Sequence, residues 1–425
     1  MSEEWDKYIK DPRIVCKYKD KCYQKNPEHH NKYKHPHVLK AKPVTKQRNK
    51  RFQPYPQVKT EAKQSKDKDD VEITKGVEEN KPNNDNENNP SVSCEKDTEK
   101  ESEPPKSLIQ LDNVSFYDKD SDHSILKECF LVEMPPDFFK FYEYLSKESE
   151  NVEKLLSSVN LQLIGPFELF LGKLPKLEDK DLYLIHWRFF FDPPEYQAVL
   201  KKKGKSEFHI GYYRDDPNEN PVFLAKTDSS VGYSLTPIAE NIFGAIYHFL
   251  QEEKKSSPFI SIACQKLMEK VKKWAELSNF SIEEFNIKKR NQQLVCRTFH
   301  GAGIVVPYNK KTELGYRKLV ESDANIKKMF KQFKEAKTQT EKDKILSELQ
   351  PVITYASIAV DECDFGTGLE AGIALFCSGI KELHTSALKN LEVTYSLLQR
   401  ETFSKIIQMH MKYRRRGPDM SVLNS

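Results

Sequence analysis

Ten residues in the C-terminal half, Asp361-Glu362-Cys363-Asp364-Phe365-Gly366-Thr367-Gly368-Leu369-Glu370, gather four carboxylates around two glycines. Carboxylates this close raise one another's pKa and can leave one poised to take a proton, the raw material of a general base. The same residues suit the start of a helix. An Asp or Thr ahead of Gly368-Leu369-Glu370-Ala371 would cap an apolar helix carrying Leu369, Ile373, Leu375 and Phe376, and would complement its dipole. Residue types alone leave both readings standing.

A second constellation lies near the N-terminus. Cys16-x5-Cys22-x6-His29-x5-His35-Pro36 places two thiols and two imidazoles within twenty residues. That is a full tetrahedral set for one structural zinc ion (Zn) in a segment too small for a core. Metal binding of this kind supplies on the order of 10–16 kcal/mol, enough to fold the segment. His30 and His37 are left as surface imidazoles. DNA-reading fingers have two to four residues between their cysteines and about twelve before the first histidine, so the spacing differs.

The segment resembles the poly(ADP-ribose)-binding zinc finger family through Cys16, Tyr18, Cys22, Tyr23, Asn26-Pro27, His29 and His35-Pro36. The resemblance implies that Tyr18 and Tyr23 stack on adenine of the polymer. Lys19 and Gln24 stand where the motif usually has Gly and Arg, and Lys17, Lys19, Lys21 and Lys25 supply positive charge nearby.

At 425 residues the chain exceeds one average domain. Its 68 Lys and Arg against 64 Asp and Glu leave only +4, so attraction to a polyanion must come from local clusters. Met1-Ser2-Glu3-Glu4-Trp5-Asp6 has no apolar signal core, and no apolar run approaches the ~18 residues of a membrane span. The expectation is a soluble protein with no membrane role, and nothing indicates a homo-oligomer. Eight cysteines in a chain this long do not make a disulfide framework; outside the finger they are expected to be buried thiols.

The elements that must position these groups read as an α+β protein. The expected organisation is a flexible N-terminus (1–12), the finger (13–38), a disordered charged linker (39–107), an N-terminal sheet-plus-helix domain (108–255), a mostly helical C-terminal domain with the acidic loop (256–416) and a flexible tail (417–425). The linker holds the basic Lys46-Gln47-Arg48-Asn49-Lys50-Arg51 and an Asn-rich run from Asn83, with almost nothing to bury. Three-four spacing predicts a helix after Pro135-Pro136 through Phe138, Phe141 and Leu145. Strands are predicted at Leu161 and Leu163, along Tyr183, Ile185, Trp187, Phe189 and Phe191, through Phe208, Ile210 and Tyr212, and at Val222-Phe223-Leu224.

Thr236-Pro237 is expected to open a helix through Ile242, Ile246 and Phe249, and Cys264, Leu267, Met268, Val271 and Trp274 share a helical face in the second half. An apolar strand is expected at Ile304-Val305-Val306, an Asp323-capped helix carries Ile326, Met329, Phe330 and Phe333, and more helices run from Ile345 to Tyr413. Phe299-His300-Gly301-Ala302-Gly303 lacks the patterns of a nucleotide loop. The aromatic run His186-Trp187-Arg188-Phe189, together with His209 and Arg214, reads as core. Lys412-Tyr413-Arg414-Arg415-Arg416 ends the globular part with a basic cluster.

Seven segments in order are similar to the histone PARylation factors, accessory proteins of the DNA-damage-activated poly(ADP-ribose) polymerases. They are Leu161-Gln162-Leu163-Ile164-Gly165-Pro166, His186-Trp187-Arg188-Phe189, Asp192-Pro193-Pro194-Glu195, Gly211-Tyr212-Tyr213-Arg214-Asp215, Phe299-His300-Gly301-Ala302-Gly303, Gly315-Tyr316-Arg317 and Asp361-Glu362-Cys363-Asp364. The resemblance implies that the chain has no complete active site of its own and works beside the NAD bound by its partner polymerase. Glu362 would be the general base directing ADP-ribose to serine on histones, because a serine hydroxyl needs an adjacent base whereas a carboxylate acceptor is already ionised. Asp361, Tyr316 and Arg317 would dock on the polymerase, Asp364 would support the loop, and Glu313 matches an acidic position in the same loop. The implied location is the nucleus, on chromatin at DNA-damage sites. The finger is an addition to this body. Two other classes fit the residues: a chromatin adaptor that binds poly(ADP-ribose) without a catalytic share, and an ADP-ribose hydrolase using the acidic pair.

Overall fold

The computed structural model describes residues 11–16, 26–34 and 114–423, which fall in two units. In the first, β1 (Ile14–Val15) pairs in parallel with β2 (Tyr33–Lys34), and α1 (Pro27–Lys32) lies between them in sequence. Pro27 sits at the first helical position, where its missing N–H costs nothing, and Asn26 caps the helix by accepting from Glu28 N at 3.0 Å. The expected linker, 39–107, lies outside the described residues.

The second unit is built on a five-stranded antiparallel sheet in the order β3-β4-β5-β6-β7. Its strands are β3 (Leu161–Leu163), β4 (Tyr196–Lys202), β5 (Phe208–Tyr213), β6 (Phe223–Asp228) and β7 (Thr236–Ala239). Side chains alternate across it. Ile210, Tyr212 and Leu224 enter one apolar core while Tyr213, Phe223 and Ala225 enter another with Trp187 and Phe189. The first core is closed by α2 (Ser124–Phe130), α3 (Pro136–Glu148), α4 (Val152–Ser157), α5 (Glu168–Leu171), α6 (Ile242–Glu253) and α7 (Pro258–Leu277).

After the short α8 (Ile287–Gln293), a separate helical core is formed by α9 (Asp323–Glu335), α10 (Gln339–Asp361), α11 (Phe365–Ser378), α12 (His384–Leu397) and α13 (Glu401–Lys412). Phe330, Leu349, Leu369, Phe376, Leu391 and Phe403 meet there. The α+β class is as expected, and among the described residues no helix is long and apolar enough to cross a membrane.

Several expectations change. The aromatic alternation from Tyr183 to Phe191 is a 3-10 turn (Lys180–Ile185) and an irregular segment, because Trp187 takes φ +57 and breaks any strand. Thr236-Pro237 opens the edge strand β7, where a proline is tolerated, and Asn241 caps α6 through Gly244 N at 3.1 Å. Ile304 makes one bridge to Cys296 and no strand. Ser322, not Asp323, caps α9 by accepting from Asn325 N at 3.3 Å. α7 adds Cys264, Leu267 and Val271 to the first core rather than to the helical one.

Residues 418–422, expected to be part of a flexible tail, are packed. Met420 and Val422 are fully buried, Met420 O accepts from Trp187 N at 2.9 Å, and His186 Nδ1 accepts from Val422 N at 3.2 Å. The basic cluster is drawn into the same packing. Arg414 lies 3.9 Å from the Phe190 ring and 4.0 Å from the Phe376 ring, donating to both backbone carbonyls, and Arg415 donates to Ser421 O. His209 stacks on Phe189 at 3.9 Å and meets Asp192 Oδ1 at 2.9 Å, a core residue as read.

Candidate functional site

The acidic loop is the three-residue joint, Glu362 to Asp364, between α10 and α11. Glu362 is the C-cap of α10, and Cys363 follows at φ +69, the left-handed position at which helices commonly end. Asp364 N then bonds back to Ala359 O at 2.8 Å. This reversal leaves Asp361 and Glu362 exposed and turns Asp364 inward to 7% exposure. Asp364 does not cap α11 with its side chain. Its Oδ1 instead accepts from Gly315 N at 2.8 Å, joining the loop to a segment forty-nine residues earlier.

That segment follows a turn closed by Asn309 N to Leu314 O at 2.9 Å, with Glu313 exposed at φ +57. Residues 315–317 then run along the start of α11. Gly366 N bonds Gly315 O at 2.8 Å, and Thr367 Oγ1 accepts from Arg317 N at 2.9 Å while donating to Arg317 O at 2.6 Å. The Arg317 guanidinium meets Glu362 Oε2 at 2.5 Å, lies 3.4 Å from Asp364 Oδ2 and sits 4.9 Å from the Tyr355 ring centroid. The structure therefore brings Arg317, Glu362 and Asp364 together, with Asp361 beside them. The Glu362 side chain is 58% exposed, so it faces solvent rather than a cleft.

Tyr316, implied as a docking residue by the resemblance, is half-buried. Its hydroxyl and the Cys296 thiol lie against the Glu370 carboxyl, and burial pushes all three groups upward. Burial, reinforced by Asp323 and opposed by Tyr316 and Cys296, raises Glu370 from 4.5 to about 7. The folded state thus holds a proton that the unfolded chain gives up, so stability must fall as pH rises between those two values and level off above about 7. Glu370→Gln is expected to remove this slope. Measured by urea unfolding, the variant should gain on the order of 1–3 kcal/mol over the native chain between pH 4.5 and pH 7, and a pH-independent difference would contradict the half-buried, protonated carboxyl.

In the first unit, Cys16 is buried and its Sγ stands 3.4 Å from His29 Nε2. Zinc bonds of ~2.3 Å to sulfur and ~2.0–2.1 Å to nitrogen in a tetrahedron imply about 3.5 Å between those atoms, so these two donors fit one metal. Cys22 and His35, and the stacking candidates Tyr18 and Tyr23, lie outside the described residues. Among the described residues there is no group of three or more His, Cys, Asp and Glu arranged to hold a metal.

Tyr355 and Cys296 were not legible as site residues, and Thr367 read only as a possible cap. Tyr355 precedes Glu362 by seven residues, two helical turns, and that spacing was the available signal. Cys296 reaches the site only through tertiary folding. A cavity of about 500 Å³ beside the β6–β7 hairpin, lined by Phe208, Val231 and Tyr233 among others, includes no residue of the acidic loop.

Fold and site together define an α+β protein that presents an arginine-held carboxylate on an open surface, preceded by a small Cys/His module. The profile of the histone PARylation factor 1 family matches residues 121–414, and that of the PBZ domain matches residues 13–38. Proteins named histone PARylation factor 1 are 36% identical over 295 residues in Danio rerio (68% of this chain, 84% of the relative) and 34% identical over 319 residues in Mus musculus (72% and 91%). A Homo sapiens protein named putative histone PARylation factor 1-like is 31% identical over 324 residues, 72% of this chain and 92% of the relative. The chain belongs to the histone PARylation factor 1 family and carries a PBZ zinc finger ahead of the family body.

Proposed function

We propose that this chain is an accessory factor that docks on a DNA-damage-activated poly(ADP-ribose) polymerase in nuclear chromatin and lends it Glu362 as a general base for serine ADP-ribosylation of histones. The observation that carries the reading is the half-engaged carboxylate. Arg317 holds Glu362 Oε2, while Oε1 has no hydrogen bond among the described residues and faces solvent, where another molecule can present a hydroxyl. As a serine Oγ attacks the ribose carbon of NAD held by the polymerase, its proton passes to that oxygen and nicotinamide leaves with the bonding electrons.

Asp361 and Glu313, both exposed beside this surface, face the polymerase; Arg317 and Asp364 fix the loop, and Tyr316 anchors the docking segment from within. Zinc held by Cys16, Cys22, His29 and His35 folds the finger, which binds poly(ADP-ribose) through Tyr18 and Tyr23 and concentrates the factor where polymer is being made. The test is to add the chain to polymerase, NAD and histone and map the modified residues by mass spectrometry. Modification should move from Asp and Glu to Ser. An unchanged distribution would overturn the reading, and removal of preformed ADP-ribose without polymerase would replace it with a hydrolase.

A further inference from the structure

We infer that Tyr355 is a positioning residue for this site: its ring holds the Arg317 side chain so that the guanidinium fixes Glu362. The inference rests on the reading of Glu362 given above. Tyr355 and Glu362 are seven residues apart on α10 and its C-cap, so they lie on one face, about 10 Å apart along the helix axis. Arg317 comes from a separate segment and lies across that face, its guanidinium 4.9 Å from the Tyr355 ring centroid and its Nη1 2.5 Å from Glu362 Oε2.

The main chain of Arg317 is pinned at both N–H and carbonyl by the fully buried Thr367. A clamp on the backbone does not place a guanidinium at the end of a long, flexible side chain. Three contacts remain to do so. The pair with Glu362 is solvent-facing, and such pairs are weakened by water and salt. Asp364 Oδ2 is 3.4 Å from Arg317 Nε without hydrogen-bond geometry, and that Nε has no hydrogen-bond partner among the described residues. The aromatic face is the remaining contact and the one least sensitive to salt, because the ring quadrupole attracts the planar cation and restricts its orientation. The Tyr355 hydroxyl makes no hydrogen bond among the described residues, so the ring alone should suffice.

The test uses the full chain with polymerase, NAD and histone. Tyr355→Leu, which keeps apolar bulk but removes the ring, is expected to lower the serine-directed rate at saturating chain by ~3–10-fold, and Tyr355→Phe to restore it to within ~2-fold. In an Arg317→Ala background Tyr355→Leu should change nothing further, since the two act as one unit. A merely structural role would add its loss in both backgrounds, and that result would overturn the inference.

A second readout needs no polymerase. Phenylglyoxal labelling of Arg317, read by mass spectrometry, should rise ~3-fold in Tyr355→Leu and not in Tyr355→Phe, as the cation loses its ring. Equal labelling in all three proteins overturns the inference. Raised labelling in a chain whose Glu362→Gln form still directs modification to serine would uphold the Tyr355–Arg317 contact and remove the reading of Glu362.

Discussion

Glu362→Gln is expected to lower serine-directed ADP-ribosylation by ~10²–10⁴-fold, the usual share of a positioned general base. Binding of the chain to the polymerase should stay within ~2-fold, because Gln has nearly the same shape and its Oε can still accept from Arg317. What Gln lacks is a basic lone pair for the serine proton. Modification of Asp and Glu acceptors should persist, since those nucleophiles are already ionised and need no base. The acceptor map then reverts toward carboxylates although the complex forms. If the Gln form still steers ADP-ribose to serine, Glu362 is a docking residue and the base lies elsewhere. Glu362→Asp sharpens the test: it keeps the charge but withdraws the oxygen by one methylene, and misplacement of about 1 Å alone can cost ~10²-fold.

Local signals carried much of this fold. The Pro135-Pro136 start and three-four spacing gave α3, period-two alternation found β3 and β5, and the apolar run Val222-Phe223-Leu224 found the start of β6. β4 escaped because it is buried on both faces. Gln197 and Lys201 are buried beside Val199 and Leu200, so no alternation of polar and apolar residues marks it. The opposite error occurred at Tyr183 to Phe191, where aromatic alternation reflects packing around a buried polar knot. Glu168 there accepts from Trp187 Nε1 at 2.6 Å and meets His186 Nε2 at 2.5 Å, an arrangement that residue spacing does not encode.

The site was legible to a similar depth. Glu362, Arg317 and Asp364 could be named from motif resemblance, yet their union depends on Gly315 N finding Asp364 across forty-nine residues. The role of Asp364 is the clearest case. Its position before α11 reads as a cap, but its carboxylate does not cap that helix and accepts instead from Gly315 N. Tyr316 was named as a docking residue, but its side chain is half-buried, with its hydroxyl against the half-buried Glu370 carboxyl.

The segment 315–317 should be acutely sensitive at Gly315. Gly315→Ala is expected to destabilise the chain by on the order of 3 kcal/mol or more, read as a lowered midpoint in urea unfolding. Gly315 has φ +111, and a Cβ there would stand 2.2 Å from Pro307 O and 3.2 Å from Tyr308 Cα, both backbone atoms. The residue cannot swing clear without breaking its N–H bond to Asp364 and its carbonyl bond from Gly366, each 2.8 Å. Gly204→Ala is the matched control. Its φ is +97, but an added Cβ meets nothing within 4 Å, so its cost should be the backbone strain alone, about 1–2 kcal/mol. The difference between the two variants measures the clash. Because Arg317 lies two residues beyond Gly315, the same substitution should also release the Glu362 carboxylate, and serine-directed activity should fall even at temperatures where the variant remains folded. Equal stability of the two alanine variants would show that the segment is not held between Pro307 and Asp364.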